Sequence, residues 1–259
     1  MKEFVKRGIC FAAALMMTQS MIFASPAEEM SGGVVPRTAV YVKSVSSGAG
    51  TGTTSGKVTL SQTSAKLTVG KTVTLKATVT PSSSSVKFTW SSSNSKVVSV
   101  DATGKVKAVG KGVAAVTVKA SNGKSASCMV TVITADEAYI EEVFRLVNEE
   151  RTKAGLSKVT LNTALCNAAS KRAKEITTKF SHTRPDGTGW YTVLQEYKIS
   201  YAAAVENIAY HYETPKAVVD GWMKSPNHKK NILNAKYKAM GIGLCRKDGS
   251  TYWAQIFKA

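Results

Sequence analysis

Acidic residues are scarce in this chain: 17 Asp and Glu stand against 35 Lys and Arg over 259 residues, a formal charge of +18. The shortage is sharpest between Lys57 and Thr134, where Asp101 is the one acid among eleven Lys and no Arg occurs. Such an excess suits an anionic environment. Lys is a mobile point charge, and without Arg the bidentate reading of phosphate or base edges is not signalled. Nucleic acid is therefore set aside, and an anionic cell-wall polymer or lipid head groups are the expected partners, with plain solubility as the competing explanation of the charge. Long apolar runs are absent too. The longest, Gly8 to Met17, is broken by Thr18-Gln19-Ser20 well short of the ~20 residues a membrane span needs. Lys6-Arg7 before it and Ala24-Ser25 after it make residues 1–27 a secretory signal peptide, with no transmembrane anchor after cleavage. Removing that leader with its Cys10 leaves Cys128, Cys166 and Cys245. No Cys-x-x-Cys spacing exists, which argues against finger-type zinc, and at most one internal bridge can form. Three small buried hydrophobes are the expected state.

What remains divides into three stretches. Residues 28–56 are rich in Ser, Gly and Thr and poor in large apolar groups, as in a flexible linker. From Lys57 apolar residues recur with period two in short runs: Val58 and Leu60; Leu67 and Val69; Val73 to Val79; Val86 to Trp90; Val113 to Val118; Met129 to Val132. Gly70, Pro81, Asn94, Gly104, Gly110 and Asn122-Gly123 divide them. Six or seven β-rich strands at this spacing predict an all-β sandwich over 57–134, with Asn122-Gly123 as a two-residue hairpin turn. The succession Phe88-Thr89-Trp90-Ser91-Ser92, Val97-Val98-Ser99-Val100, Gly104-Lys105-Val106 and Gly112-Val113-Ala114 resembles the bacterial immunoglobulin-like group 2 domain. Trp90 belongs to the core by its place in the pattern.

The period then changes to that of a helix. Thr134 and Glu137 have capping-box spacing, Ile140, Val143, Phe144 and Val147 share one face, and Gly155 can end the helix. Asn162 heads a second helix with Leu165, Ala169, Ala173 and Ile176 inward; Trp190 to Tyr197 form a third; Thr214-Pro215 start a fourth that buries Val218 and Trp222. Ala202 to Ala209, Met240 to Cys245 and Tyr252 to Phe257 read as strands. The class is α+β.

Three motifs in this part carry chemistry: Phe180-Ser181-His182, Val205-Glu206-Asn207-Ile208-Ala209, and Ser225-Pro226-Asn227-His228-Lys229-Lys230-Asn231-Ile232-Leu233. They are too far apart to be one local motif and meet only through a fold. Together they resemble the CAP superfamily of SCP-like extracellular domains over about 136–259. That resemblance implies an α-β-α sandwich in which His182, Glu206 and His228 converge in one shallow cleft. Two imidazoles and a carboxylate would be the ligand set of an open site for Zn²⁺; equally, Glu206 could fix a histidine tautomer in an acid/base pair. The family pattern often has a second acid beside the later His, where this chain has Ser225 and Pro226. Ser225 lacks a Gly-x-Ser-x-Gly context for a nucleophile, Asn231 is a candidate for fixing the loop, and His211, between Tyr210 and Tyr212, is a rim residue. A fold does not make an enzyme. The expected protein is therefore a secreted or wall-associated binding protein, with a hydrolase or peptidase using the same cleft as the alternative. An acid between apolar neighbours needs partners, and the two histidines are the expected ones for Glu206, both supplied by loops.

Overall fold

The computed structural model describes residues 56–82 and 85–259; the expected leader and the expected linker up to Ser55 lie outside the described residues. The first part of the described chain is built from strands alone: β1 (Lys57–Leu60), β2 (Ser64–Thr68), β3 (Thr72–Thr74), β4 (Ala77–Thr80), β5 (Phe88–Ser92), β6 (Val98–Val100), β7 (Lys105–Ala108), β8 (Gly112–Ala120) and β9 (Ser125–Ile133). They pair as β2-β9-β8-β5, β3-β7-β6 and β1-β4. Alternation along β8 puts Ala114, Val116 and Val118 inside, where the first two join Leu75, Val98, Val106 and Val130 in one core. Trp90 packs on that core, half-buried.

Two local expectations change here. The run Val73 to Val79 is two strands rather than one, since β3 pairs with β7 and β4 with β1. The chain switches between them at the buried Leu75. The β8–β9 hairpin has a three-residue loop, because Ala120 and Lys124 still pair (Ala120 N to Lys124 O, 2.8 Å). A two-residue type I′ turn needs positive φ at both central residues, and here Gly123 alone has it (φ 83°).

A single residue, Thr134, separates β9 from the first helix. Its hydroxyl accepts from Glu137 N at 3.1 Å while Glu137 reaches back to Thr134 N at 3.0 Å, the reciprocal cap read from the sequence. The elements that follow are α1 (Ala135–Lys153), β10 (Thr160–Leu161), α2 (Thr163–Glu175), α3 (Thr192–Glu196), β11 (Ala204–Tyr210), α4 (Pro215–Lys224), α5 (Pro226–Ile232), β12 (Ala239–Lys247) and β13 (Ser250–Lys258). Asp248 and Gly249, both at positive φ, close the last hairpin as a true two-residue turn. The sheet runs β10-β12-β13-β11.

Successive residues of a strand face opposite ways, and the two cores follow that rule. Met240, Ile242, Trp253 and Phe257 pack with residues of α1, α4 and α5, whereas Ala239, Ala254, Ile256 and Ile208 pack with α2 and α3. Helix α2 lies unusually close to β12. A Cβ on Gly241 would stand 2.1 Å from the carbonyl carbon of Leu165, and one on Gly243 2.2 Å from that of Ala169. Glycine is needed there for proximity, not for φ. Gly243→Ala should therefore force α2 off the sheet and cost about 3 kcal/mol, at the upper end of overpacking penalties because backbone cannot swing aside. Urea unfolding measures it; a loss below about 1 kcal/mol would mean that the helix is free to shift.

Candidate functional site

Glu206 and Asn207 are neighbours on β11, so their side chains leave opposite faces of the sheet. Because β11 is the outer strand, two groups gathered on those opposite faces can still meet across its edge. This is how the site is made.

On one face, the fully buried carboxylate of Glu206 meets the equally buried Arg172 of α2. Arg172 Nε donates to Glu206 Oε1 at 2.7 Å and Nη2 to Oε2 at 3.3 Å. His182 Nδ1 lies 2.7 Å from the same Oε2. A carboxylate can only accept, so Nδ1 carries the hydrogen and Nε2 is the ring nitrogen left for other work. Arg172 Nη2 also donates to Ser181 O at 2.7 Å, so one guanidinium fixes both the acid and the backbone that presents the imidazole.

The loop bearing His182 is pinned a second time by Arg184, itself buried. Its guanidinium reaches Glu175 Oε1 at 2.6 Å, Glu196 Oε1 at 2.7 Å and Thr192 Oγ1 at 2.8 Å. The hydrogen bond to Glu175, then that to Glu196, raise the Arg184 pKa against the effect of burial. Burial pushes the Glu175 carboxyl up, but the hydrogen bonds from Arg184 and Arg172 outweigh it and hold the group below its ordinary 4.5.

On the other face, Asn207 fixes α5. Its Nδ2 donates to His228 O at 3.3 Å and Gln255 Oε1 at 3.0 Å, and its Oδ1 accepts from Asn231 Nδ2 at 2.8 Å. The far end of α5 is held by the buried Arg151, which donates to Ile232 O at 2.6 Å and Asn234 O at 2.9 Å. His228 thus sits on a helix and not, as expected, on a loop. The signal was present: Ser225-Pro226 repeats the start signature of Thr214-Pro215.

His182 and His228 line one open cleft of about 570 Å³ together with Phe180, Ile208, Tyr210 and Trp222. Ser225 borders it as well; Asn231 supports it from behind through Asn207. Burial, and then the nearby His182, push the His228 pKa below 6.5. His211 stands outside, exposed, with Nδ1 3.0 Å from Ser250 Oγ.

The expectation that Glu206 organises both histidines is met for His182 alone. Its other partner is Arg172, missed because an Arg three residues from Ala169 and seven from Leu165 occupies the buried stripe of α2. The three-ligand reading for Zn²⁺ does not fit either. Both Glu206 oxygens are occupied by Arg172 and His182, and among the described residues no group of three His, Cys, Asp or Glu is placed to hold a metal ion. Cys128 and Cys166 are buried and Cys245 half-buried, none in a disulfide. Among the described residues no helix is long and apolar enough to cross a membrane.

Removing one member of a buried ion pair leaves the other uncompensated. Glu206→Gln should cost about 3 kcal/mol or more, and Arg172→Met with Glu206→Leu should recover part of it, because an apolar pair leaves no stranded charge. Urea unfolding of the three variants decides this; a double variant no better than Glu206→Gln would contradict it. His228 gives a pH signature. A group whose folded pKa is depressed contributes stability that is present above its unfolded value and lost as pH falls. The melting temperature should thus decline below pH 6.5 more steeply in the native chain than in His228→Gln; parallel curves would sink the idea.

Comparison with known proteins gives two families in tandem. Residues 144–257 match the model of the Cysteine-rich secretory protein family, CAP, and residues 44–130 that of the Bacterial Ig-like domain (group 2). The uncharacterized protein YkwD of Bacillus subtilis (strain 168) is 34% identical over 122 residues, 46% of this chain and 47% of that one. Lacto-N-biosidase of Bifidobacterium bifidum is 54% identical over 68 residues, 26% of this chain and 6% of that one. Among solved structures, an extracellular protein containing a SCP domain from Bacillus anthracis str. Ames aligns with 25% identity and a TM-score of 0.44, over 51% of this chain and 46% of that one. The chain spans less than half the length of the curated relatives it matches.

Proposed function

The chain carries a CAP domain preceded by a bacterial Ig-like domain of group 2, and from that premise we propose that it is a secreted or wall-associated binding protein whose cleft takes an extracellular ligand. The observation that carries this reading is the cleft lining. It consists of aromatic, aliphatic, serine, glycine and imidazole groups, without a Lys, Arg, Asp or Glu, in a protein of charge +18. A few polar groups in a mostly apolar concavity are what orient a bound molecule.

The Ig-like part supplies the charge. All eleven of its Lys residues are exposed, and Lys66 and Lys111 reach Glu141 and Glu137 on α1. Exposed Lys attracts a polyanion without reading its geometry, and that attraction is screened beyond ~8 Å at physiological salt. On this reading the basic part holds an anionic wall polymer or lipid surface while the cleft engages something else.

A hydrolase is favoured by one feature. Glu206 holds His182 as an orienting acid holds a general base, leaving Nε2 as the ring nitrogen able to take a proton. Against it, no nucleophile is bonded to either imidazole among the described residues; His211 has a serine partner, but outside the cleft. Purified protein incubated with isolated wall material and with casein, with and without chelator, separates the readings. Retention on the wall that is lost in molar salt, with casein intact, is expected. Retention unchanged by salt would overturn the electrostatic account, and chelator-sensitive cleavage that disappears in His228→Ala would replace the binding reading by the hydrolase.

A further inference from the structure

Among the described residues β11 pairs with β13 alone, in antiparallel register from Ala204↔Lys258 to Tyr210↔Tyr252. Its other edge runs past the buried Glu206 and borders the cleft at Ile208, 6% exposed, and Tyr210, 42% exposed. The ladder continues past both ends, His211 N donating to Thr251 O and Ala259 N to Ala203 O, each at 2.9 Å. In an antiparallel pair, residues that exchange main-chain bonds alternate with residues whose N–H and C=O point away. Those two bonds fix the phase: odd-numbered residues of β11 face β13, and the main-chain groups of Glu206, Ile208 and Tyr210 face the other way. The β12 side agrees, since Lys258 O, at an even position of β13, accepts from Lys238 N at 3.0 Å. Among the described residues no turn, loop or side chain bonds the main chain of Ile208 or Tyr210 from that other edge. Both residues line the cleft.

An unpaired strand edge is a template for another chain, and proteins blunt it with Lys, Pro, a bulge, an inward-pointing charge or a covering element. Ala204–Tyr210 carries no Lys or Pro, in a chain with 35 basic residues. Its inward-pointing charge, Glu206, is held by Arg172 and His182 in the first half of the strand, which leaves Ile208 to Tyr210 as the stretch without a charge. The cleft beside this edge likewise offers no charged side chain except imidazole.

We propose that the cleft takes an extended peptide, which adds to β11 as a further strand, bonding the main chain of Ile208 and Tyr210 and placing uncharged side chains against Phe180, Trp222 and His228. Main-chain bonds give such a complex its affinity, and the pockets for alternate side chains give its selectivity. The inference rests on the reading of the cleft as a binding site and names its class of ligand.

The test is amide hydrogen exchange by NMR on the full chain, with a blocked, uncharged heptapeptide of alternating Thr and Val, the same peptide N-methylated at every amide, and a neutral oligosaccharide. The unmodified peptide is expected to slow exchange at Ile208 and Tyr210 at least tenfold and to leave Ala209, already bonded to β13, unchanged. The N-methylated peptide, which keeps the side chains and loses the donors, should protect neither. Tyr210→Pro removes one outward N–H without touching the β13 ladder, so it should weaken peptide binding about tenfold, while Tyr210→Ala, which loses only the ring, keeps the Ile208 protection. Should Tyr210→Pro not fold, the two peptides on the native chain still decide. Equal protection by both peptides, or by neither at millimolar concentration, overturns the strand. Oligosaccharide shifts at His228 without protection of Ile208 and Tyr210 would overturn it too, yet leave the cleft standing as a binding site.

Discussion

A carboxylate with no exposed surface cannot stand alone in a protein interior, and most of the C-terminal α+β structure follows from what Glu206 requires. Arg172 neutralises it across the sheet, and its helix α2 lies close on β12, which Gly241 and Gly243 permit. The same guanidinium takes Ser181 O, so the loop carrying His182 is tied to the ion pair that orients its ring. Arg184 and Glu175 then fix the remainder of that loop. The imidazole is held by groups that are themselves held, the condition for a site whose geometry does not depend on its ligand.

Elements whose signal is local were readable in the sequence. Thr134 with Glu137, Asn162, and Thr214 with Pro215 each mark a helix start through a side chain that reaches only three residues. The strands of the C-terminal sheet and the Asp248-Gly249 turn follow from alternation and from glycine's tolerance of positive φ. Where distant parts of the chain decide, the reading fell short. The split of Val73 to Val79 depends on which sheets β3 and β4 join, and a period-two pattern is the same for either partner. The short α5 has too few residues for a periodic signal, and Ser225-Pro226 alone marks its start.

The partners of buried polar groups form the largest gap. Arg151, Arg172, Asn207 and Gln255 are all buried. Each was invisible as a structural residue because hydropathy patterns treat charge and amide as surface. All four serve a backbone carbonyl or another amide, and apart from that of Arg172 with Ser181 these contacts join segments tens of residues apart. The sequence did show that Glu206 needed a partner. It could not show that the partner was an arginine on the buried stripe of a helix.

The adjacency of Glu206 and Asn207 limits how this domain can vary. One residue gained or lost in β11 ahead of Glu206 would turn the amide toward Arg172 and the carboxylate toward α5, so both halves of the site would fail at once. Loops such as Ser200–Ala202 can change length and leave the cleft intact, whereas the seven residues Ala204–Tyr210 can change only by substitution. Relatives that keep this site should align through the strand without a gap.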